Sequence, residues 1–117
     1  MKLVVAVIRP EKLEAVQQAL NERDVYLMTV TDVRGCGRQR GYTEVYRGSE
    51  FQVKLLPKVK LEIAVSEPFV DATVEAIVTA ARSGGTGQIG DGKIWVIDMQ
   101  DCVRIRTGER GSTAIGP

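Results

Sequence analysis

The sequence predicts an α+β domain built as β-α-β, a long loop, then β-α-β. Three observations predict it. Residues 2–8 are apolar on both alternate faces, residues 58–65 alternate cleanly, and two amphipathic stretches of helical period each follow one of these strands.

The first strand, 2–8, carries Leu3, Val5 and Val7 on one face and Val4, Ala6 and Ile8 on the other, so both faces need cover. Arg9-Pro10 opens the first helix, where proline suits the first position. Leu13, Val16, Gln17 and Leu20 share a face, and the helix is expected to end near Arg23. Residues 25–33, rich in β-branched side chains, read as the second strand. Four glycines (Gly35, Gly37, Gly41, Gly48) and four arginines (Arg34, Arg38, Arg40, Arg47) then punctuate a stretch with no dominant period. Loops this long in small domains are uncommon and usually functional or disordered.

In the third strand, 58–65, Val59, Leu61, Ile63 and Val65 face one side and Lys58, Lys60, Glu62 and Ala64 the other. Ser66-Glu67-Pro68 starts a second helix with a buried stripe at Val70, Val74, Ile77, Val78 and Ala81; Ser83-Gly84-Gly85 stops it. A glycine-rich loop leads to a fourth strand, 93–98, and a short extended piece, 102–106. The stretch from Thr107 is polar, and a flexible tail is expected from about residue 110.

This order is the split βαβ, or ferredoxin-like, pattern. Two helices cover only one face of such a sheet. The second apolar face of the first strand needs another partner, and a like subunit is the simplest, so an oligomer is expected. The 117 residues fit one domain, 1–117, able to bury roughly 60–70% of its unfolded surface.

Composition narrows the function. A formal charge of +1 gives no bulk attraction to nucleic acid or membrane. No apolar run approaches the roughly 20 residues that span a bilayer. The strand-like opening lacks the regions of a signal peptide, so a cytoplasmic home is expected. There is no histidine, which removes the commonest general base and transition-metal ligand. Cys36 and Cys102 alone make neither a disulfide framework nor a zinc site. Composition therefore argues against hydrolytic and transition-metal chemistry, and no enzyme is expected.

Two motifs must be weighed. Gly85-Thr86-Gly87-Gln88-Ile89-Gly90 matches G-x-G-x-x-G, but a dinucleotide fingerprint follows a strand and opens a helix, whereas this one follows a helix and opens a strand. Gly87-Gln88-Ile89-Gly90-Asp91-Gly92-Lys93 fits G-x-x-x-x-G-K, but Ile94 stands where a Walker A loop needs Ser or Thr, and no helix follows. Close-set glycines with Lys93 suit an anion, and equally suit a plain turn with a solvated lysine. Val103-Arg104-Ile105-Arg106 puts two guanidiniums on one face of an extended segment, apt for phosphate or for a guarded sheet edge. Glu62 could pair with Lys60 or accept a ligand's hydroxyl.

Together the segments resemble the PII signal-transduction proteins of nitrogen and carbon control, over about residues 1–109. The motifs are Met28-Thr29-Val30-Thr31, Gly35-Cys36-Gly37-Arg38-Gln39, Tyr46-Arg47-Gly48-Ser49-Glu50, Leu56-Pro57-Lys58-Val59-Lys60-Leu61-Glu62, Ile89-Gly90-Asp91-Gly92-Lys93-Ile94 and Arg104-Ile105-Arg106-Thr107-Gly108-Glu109. Each is weak alone; six in order are specific.

The resemblance implies a homotrimer with ATP or ADP in three clefts between subunits. With Mg2+ and ATP in place, 2-oxoglutarate binds beside the nucleotide, and the loop at 37–54 docks or releases targets. It implies that Gly90, Asp91, Gly92 and Lys93 hold phosphates, with Gly35, Gly37 and Arg38 near them at the loop base. Thr29, Glu62, Arg104 and Arg106 would come from the neighbour. Gln39 and Lys58 match the 2-oxoglutarate residues, with Gln39 also touching magnesium. Arg47 is a candidate partner contact and Ser49 a candidate modification site. The implied partners are an ammonium transporter, glutamine synthetase or another nitrogen-metabolism protein, with membrane contact only through a transporter and none with nucleic acid.

The chain departs from the family pattern in three places. Phe51 stands where many members carry a tyrosine that accepts a nucleotidyl group. The loop before Ile89 looks three residues longer than usual, with Ser83-Gly84 and Thr86-Gly87 competing for the family's Thr-Gly place. Gln88 stands where a charge is common. Rival readings are an enzyme, which lacks a recognisable nucleophile–base pair, an RNA recognition module, which would need sheet aromatics, and another metabolite-sensing ferredoxin-like domain without nucleotide binding.

Overall fold

A computed structural model describes residues 1–36, 45–46, 50–51 and 54–116, with backbone only at 45–46 and 50–51. The elements are β1 (Lys2–Ile8), α1 (Leu13–Asn21), β2 (Thr29–Gly35), β3 (Val45–Tyr46), β4 (Glu50–Phe51), β5 (Leu56–Val65), α2 (Val70–Ala81), β6 (Gly92–Asp98) and α3 (Ser112–Ile115). Four strands form one antiparallel sheet in the order β2-β5-β1-β6. That order, with α1 and α2 in mutual contact, fits the split βαβ expectation. Within the long loop, β3 pairs with β4 as a separate antiparallel ladder.

β1 is central because it is apolar on both faces. Val4, Ala6 and Ile8 enter the helix-covered core, where Val16 and Leu20 of α1 and Ile77 of α2 meet them. In β5 the alternation holds: Val59, Leu61, Ile63 and Val65 are all buried. β5 begins two residues earlier than expected, at Leu56-Pro57. Pro57 lies beyond the end of β1, where β5 has one neighbour, and such a place tolerates a missing N–H.

The second strand is shorter than 25–33. Asp24 adopts φ 61°, and the Val25 N–H bonds back to the Leu20 carbonyl at 3.0 Å. Val25 is thereby turned into the core to close α1, and pairing starts only at Thr29. The stripe of α2 is also rotated. Thr73, Ala76, Ile77 and Ala81 are buried, whereas Val78 is exposed. The Thr73 hydroxyl bonds the Phe69 carbonyl at 2.7 Å, which lets a polar residue sit in the core at no unmet hydrogen-bonding cost.

The largest correction concerns the chain end. Residues 102–106 are not an extended piece. Val103 bridges to Arg110 and the chain turns between them, with the Gly108 N–H on the Arg104 carbonyl at 2.7 Å. Gly108 takes φ 73°, a left-handed geometry that glycine adopts without strain. Beyond residue 110, where the sequence offers no pattern, α3 forms and buries Ile115 beside β5. A single apolar anchor in a polar stretch is too small a signal for periodicity to find.

The other sheet face carries Trp95 and Ile97, 44% and 45% exposed, beside Leu3, Val5 and Val7 of β1. Among the described residues, no helix is long and apolar enough to cross a membrane.

Candidate functional site

One end of the sheet opens into a cleft of 540 Å³, within the range of small-molecule sites. Its walls come from the end of β2 (Gly35, Cys36), the start of β5 (Leu56, Lys58), the loop ahead of β6 (Gln88 to Asp91) and β6 itself (Gly92, Lys93, Trp95). The antiparallel register dictates this gathering, because Gly35 faces Leu56, and Val7 of β1 faces both Lys60 and Lys93. Six of the residues named from the sequence therefore converge: Gly35, Lys58, Gly90, Asp91, Gly92 and Lys93.

Their chemistry is uneven. Among the described residues the Lys93 side chain has no hydrogen-bond or ion-pair partner, so its charge is available. The Lys58 ammonium bonds the Gly90 carbonyl at 2.8 Å. Desolvation, and then the nearby Arg9 guanidinium, pull its pKa below the ordinary lysine value. A second anion beside Lys58 and Arg9 would relieve that crowding.

Asp91 is occupied from within the chain. Its carboxylate accepts from Ser83 Oγ at 2.6 Å, Ser83 N at 3.0 Å, Gln88 N at 2.8 Å and Arg9 Nε at 3.1 Å. Desolvation pushes this carboxyl up, but the bonds from Ser83, Gln88 and Arg9 together outweigh it and hold it well below the usual range. A carboxylate so saturated is a poor metal ligand. Arg9 also donates from Nη2 to the Ile89 carbonyl at 3.0 Å, fixing the loop a second time. Sequence reasoning missed Arg9 and Ser83 as site residues. The only hint was position: one directly after β1, the other directly after the second helix.

Gly92, at φ 116°, packs its Cα against the Val7 carbonyl, so a Cβ there would overlap that backbone oxygen. Gly90 is at φ 99°. Both glycines expose backbone to the cleft, as an anion-binding turn needs.

The other residues named from the sequence lie apart. Thr29 faces Glu62 in the ladder, at the end of β2 opposite Gly35, roughly 20 Å away. Glu62 is 3.8 Å from Lys60, as a half-exposed surface pair. Arg104 bonds Glu109 at 3.1 Å and the Thr113 carbonyl at 2.8 Å. Thus the two arginines do not share an open face: Arg104 ties the terminal turn together, and Arg106 is exposed within it. Gly37, Arg38, Gln39, Arg47 and Ser49 lie outside the described residues. No group of three or more metal-ligating side chains occurs among the described residues.

A family model for nitrogen regulatory protein P-II matches residues 1–109. Proteins called nitrogen regulatory protein P-II are similar along nearly their whole length. That of Rhizobium etli is 53% identical over 98% of this chain and all of its own. P-II 2 of Methanothermobacter thermautotrophicus is 54% identical, covering 98% of this chain and 97% of its own. P-II 1 of Escherichia coli K12 is 51% identical over 98% of this chain and all of its own.

Proposed function

The chain belongs to the nitrogen regulatory protein P-II family, whose members are signalling proteins, and from that premise we propose that it reports nitrogen and carbon status by exchanging ligands in clefts between the subunits of a homotrimer. ATP or ADP is the primary ligand, and 2-oxoglutarate joins Mg2+ and ATP. The loop at 37–54 converts the occupant into a posture that target proteins read.

One observation carries the reading: the free charge of Lys93 and the exposed backbone of Gly90 and Gly92 share a cleft with Lys58 and Gly35. Glycine N–H groups and a lysine suit phosphates, and a second, crowded lysine suits a carboxylate. The remaining half of the site, Thr29, Glu62, Arg104 and Arg106, stands far from this cleft on its own chain, which fits a site completed by a neighbour. In this reading Glu62 accepts from the ribose and the arginines meet phosphate, with Arg104 leaving or sharing Glu109 to do so. Asp91 shapes the loop instead of touching phosphate. Gly37 and Arg38 close the site at the loop base, and Gln39 offers a carbonyl oxygen to magnesium and to the effector. The metal, when bound, supplies charge that links phosphate to carboxylate.

A ligand moves the loop only by its differential affinity for the loop's two postures. Coupling on the order of 1–3 kcal/mol, or about 5–150-fold, is the ordinary size of such an effect. Arg47 contacts the target, which is an ammonium transporter, glutamine synthetase or another nitrogen-metabolism protein in the cytoplasm. Ser49 is the loop's candidate modification site. The chain acts by binding and not by turnover.

Calorimetry tests the reading. ATP and ADP are expected to bind, and 2-oxoglutarate to bind tightly only with magnesium and ATP present. Equal 2-oxoglutarate affinity without them would defeat the coupled site, and a monomer indifferent to both nucleotides would defeat the whole proposal.

A further inference from the structure

The loop between α2 and β6 folds back on itself before it reaches the cleft. The Gly87 N–H bonds the Ser83 carbonyl at 2.9 Å, closing residues 83–87 into a self-contained turn. Gly84, Gly85 and Gly87 take φ 63°, 78° and 87°, so the turn forms without strain. Thr86 sits exposed within it. Length is thereby pinched off, and Ser83 is brought beside Gln88 and Asp91.

Ser83 then does three things at once. Its carbonyl closes the turn, its N–H and its hydroxyl both bond Asp91. The hydroxyl bond, at 2.6 Å, is the shortest of the four that hold the carboxylate. Charge-assisted bonds of this length are about twice as strong as neutral ones. The effect on the cleft is electrostatic as well as mechanical. Asp91 is flanked by Gly90 and Gly92, so its charge lies next to the backbone an anion would approach. A carboxylate free to rotate there would repel phosphate; one locked onto Ser83, Gln88 and Arg9 is neutralised locally.

We infer that Ser83 is a positioning residue for polyphosphate binding: its hydroxyl pins the Asp91 carboxylate onto the loop's own donors and so fixes the backbone of Gly90 to Lys93 for the phosphates. This rests on the nucleotide reading above and assigns it a residue that touches no ligand.

The test compares Ser83→Ala, which removes the hydroxyl, with Ser83→Thr, which keeps it. Two quantities are read on each intact protein: ATP and ADP affinity by calorimetry, and the acid titration of the Asp91 carboxyl carbon by NMR. Ser83→Ala is expected to raise the Asp91 midpoint and to weaken both nucleotides about 3- to 10-fold. Ser83→Thr is expected to restore both. Ser83→Gly, which spares the backbone donor, repeats the measurement should the alanine variant melt early. Wild-type affinity in Ser83→Ala overturns the inference and leaves the nucleotide reading standing, as does failure of threonine to rescue. A wild-type protein that binds neither nucleotide removes both.

Discussion

Gly92 and Val7 meet backbone to backbone: the glycine's Cα, at φ 116°, lies against the Val7 carbonyl with no room for a Cβ. This contact is where β6 joins β1 and also where the cleft begins, so one residue serves fold and site together.

Gly92→Ala is therefore expected to be among the most damaging single substitutions. It meets a fixed carbonyl instead of a flexible side chain, and it demands a left-handed backbone. A loss of about 3–5 kcal/mol is expected, from steric overlap and backbone strain together. Chemical denaturation reads this directly; a midpoint within error of the wild type would refute the close approach.

Asp91 gives the fold an acid limit. Its folded pKa is depressed, so its contribution is complete above the ordinary carboxylate value of about 3.9 and is lost as pH falls through and below it. Asp91→Asn should cost about 1–3 kcal/mol near neutral pH, by leaving donors of Ser83, Gln88 and Arg9 poorly met. It should also flatten the stability profile below pH 4. Parallel acid profiles for the two proteins would show that the network does not hold the loop.

Trp95 is the only tryptophan and lines the cleft at its β6 wall. Its emission should shift when ATP or ADP enters, and a Lys93→Ala variant should need at least about tenfold more nucleotide for the same change, the loss of one charge-assisted contact. Spectra unchanged by saturating nucleotide, with binding seen by calorimetry, would place the ligand elsewhere.

The open sheet face predicts assembly. Trp95 and Ile97 are each nearly half exposed next to the apolar face of β1. Covering the exposed half of such side chains is worth roughly 1 kcal/mol apiece. Sedimentation should find a trimer, and Ile97→Glu should weaken it while leaving the secondary structure intact. A wild-type chain that sediments as a monomer at micromolar concentration would count against the shared cleft.

Much of the frame was legible because it depends on period. The alternation of β5 located every one of its buried residues, and the two apolar faces of β1, read as needing cover, fit its place inside the sheet. What periodicity misses is a single residue whose role depends on a distant partner. Val25 reads as strand but serves the core because Asp24 turns the chain left-handed. Val78 reads as core, yet Thr73 and Ala76 take the buried sector, the Thr73 hydroxyl being satisfied within the helix by the Phe69 carbonyl.

The site divides the same way. Gly35, Lys58 and Gly90 to Lys93 gather at one cleft because the register of β2, β5, β1 and β6 brings their segments together. The inward role of Asp91 was hidden, because local sequence cannot say that its charge is met by Arg9, 82 positions away, and by Ser83, eight away. Arg104 and Arg106 looked alike in a run of alternating residues. Arg104 opens the turn that the Gly108 N–H closes and Arg106 lies inside it, giving one a structural task and leaving the other exposed.

The closed turn at 83–87 makes a natural graft point. Its two ends are already fastened to each other, and Gly84 and Gly85 point into open space, with at most the end of the Gln88 side chain near them. A foreign peptide spliced between those glycines would hang outside the fastening, and doubling such a loop's length costs only about 0.6 kcal/mol of closure entropy. The chain thus carries a built-in handle at the rim of its cleft, where a reporter group could be attached without touching the ladder that joins β6 to β1.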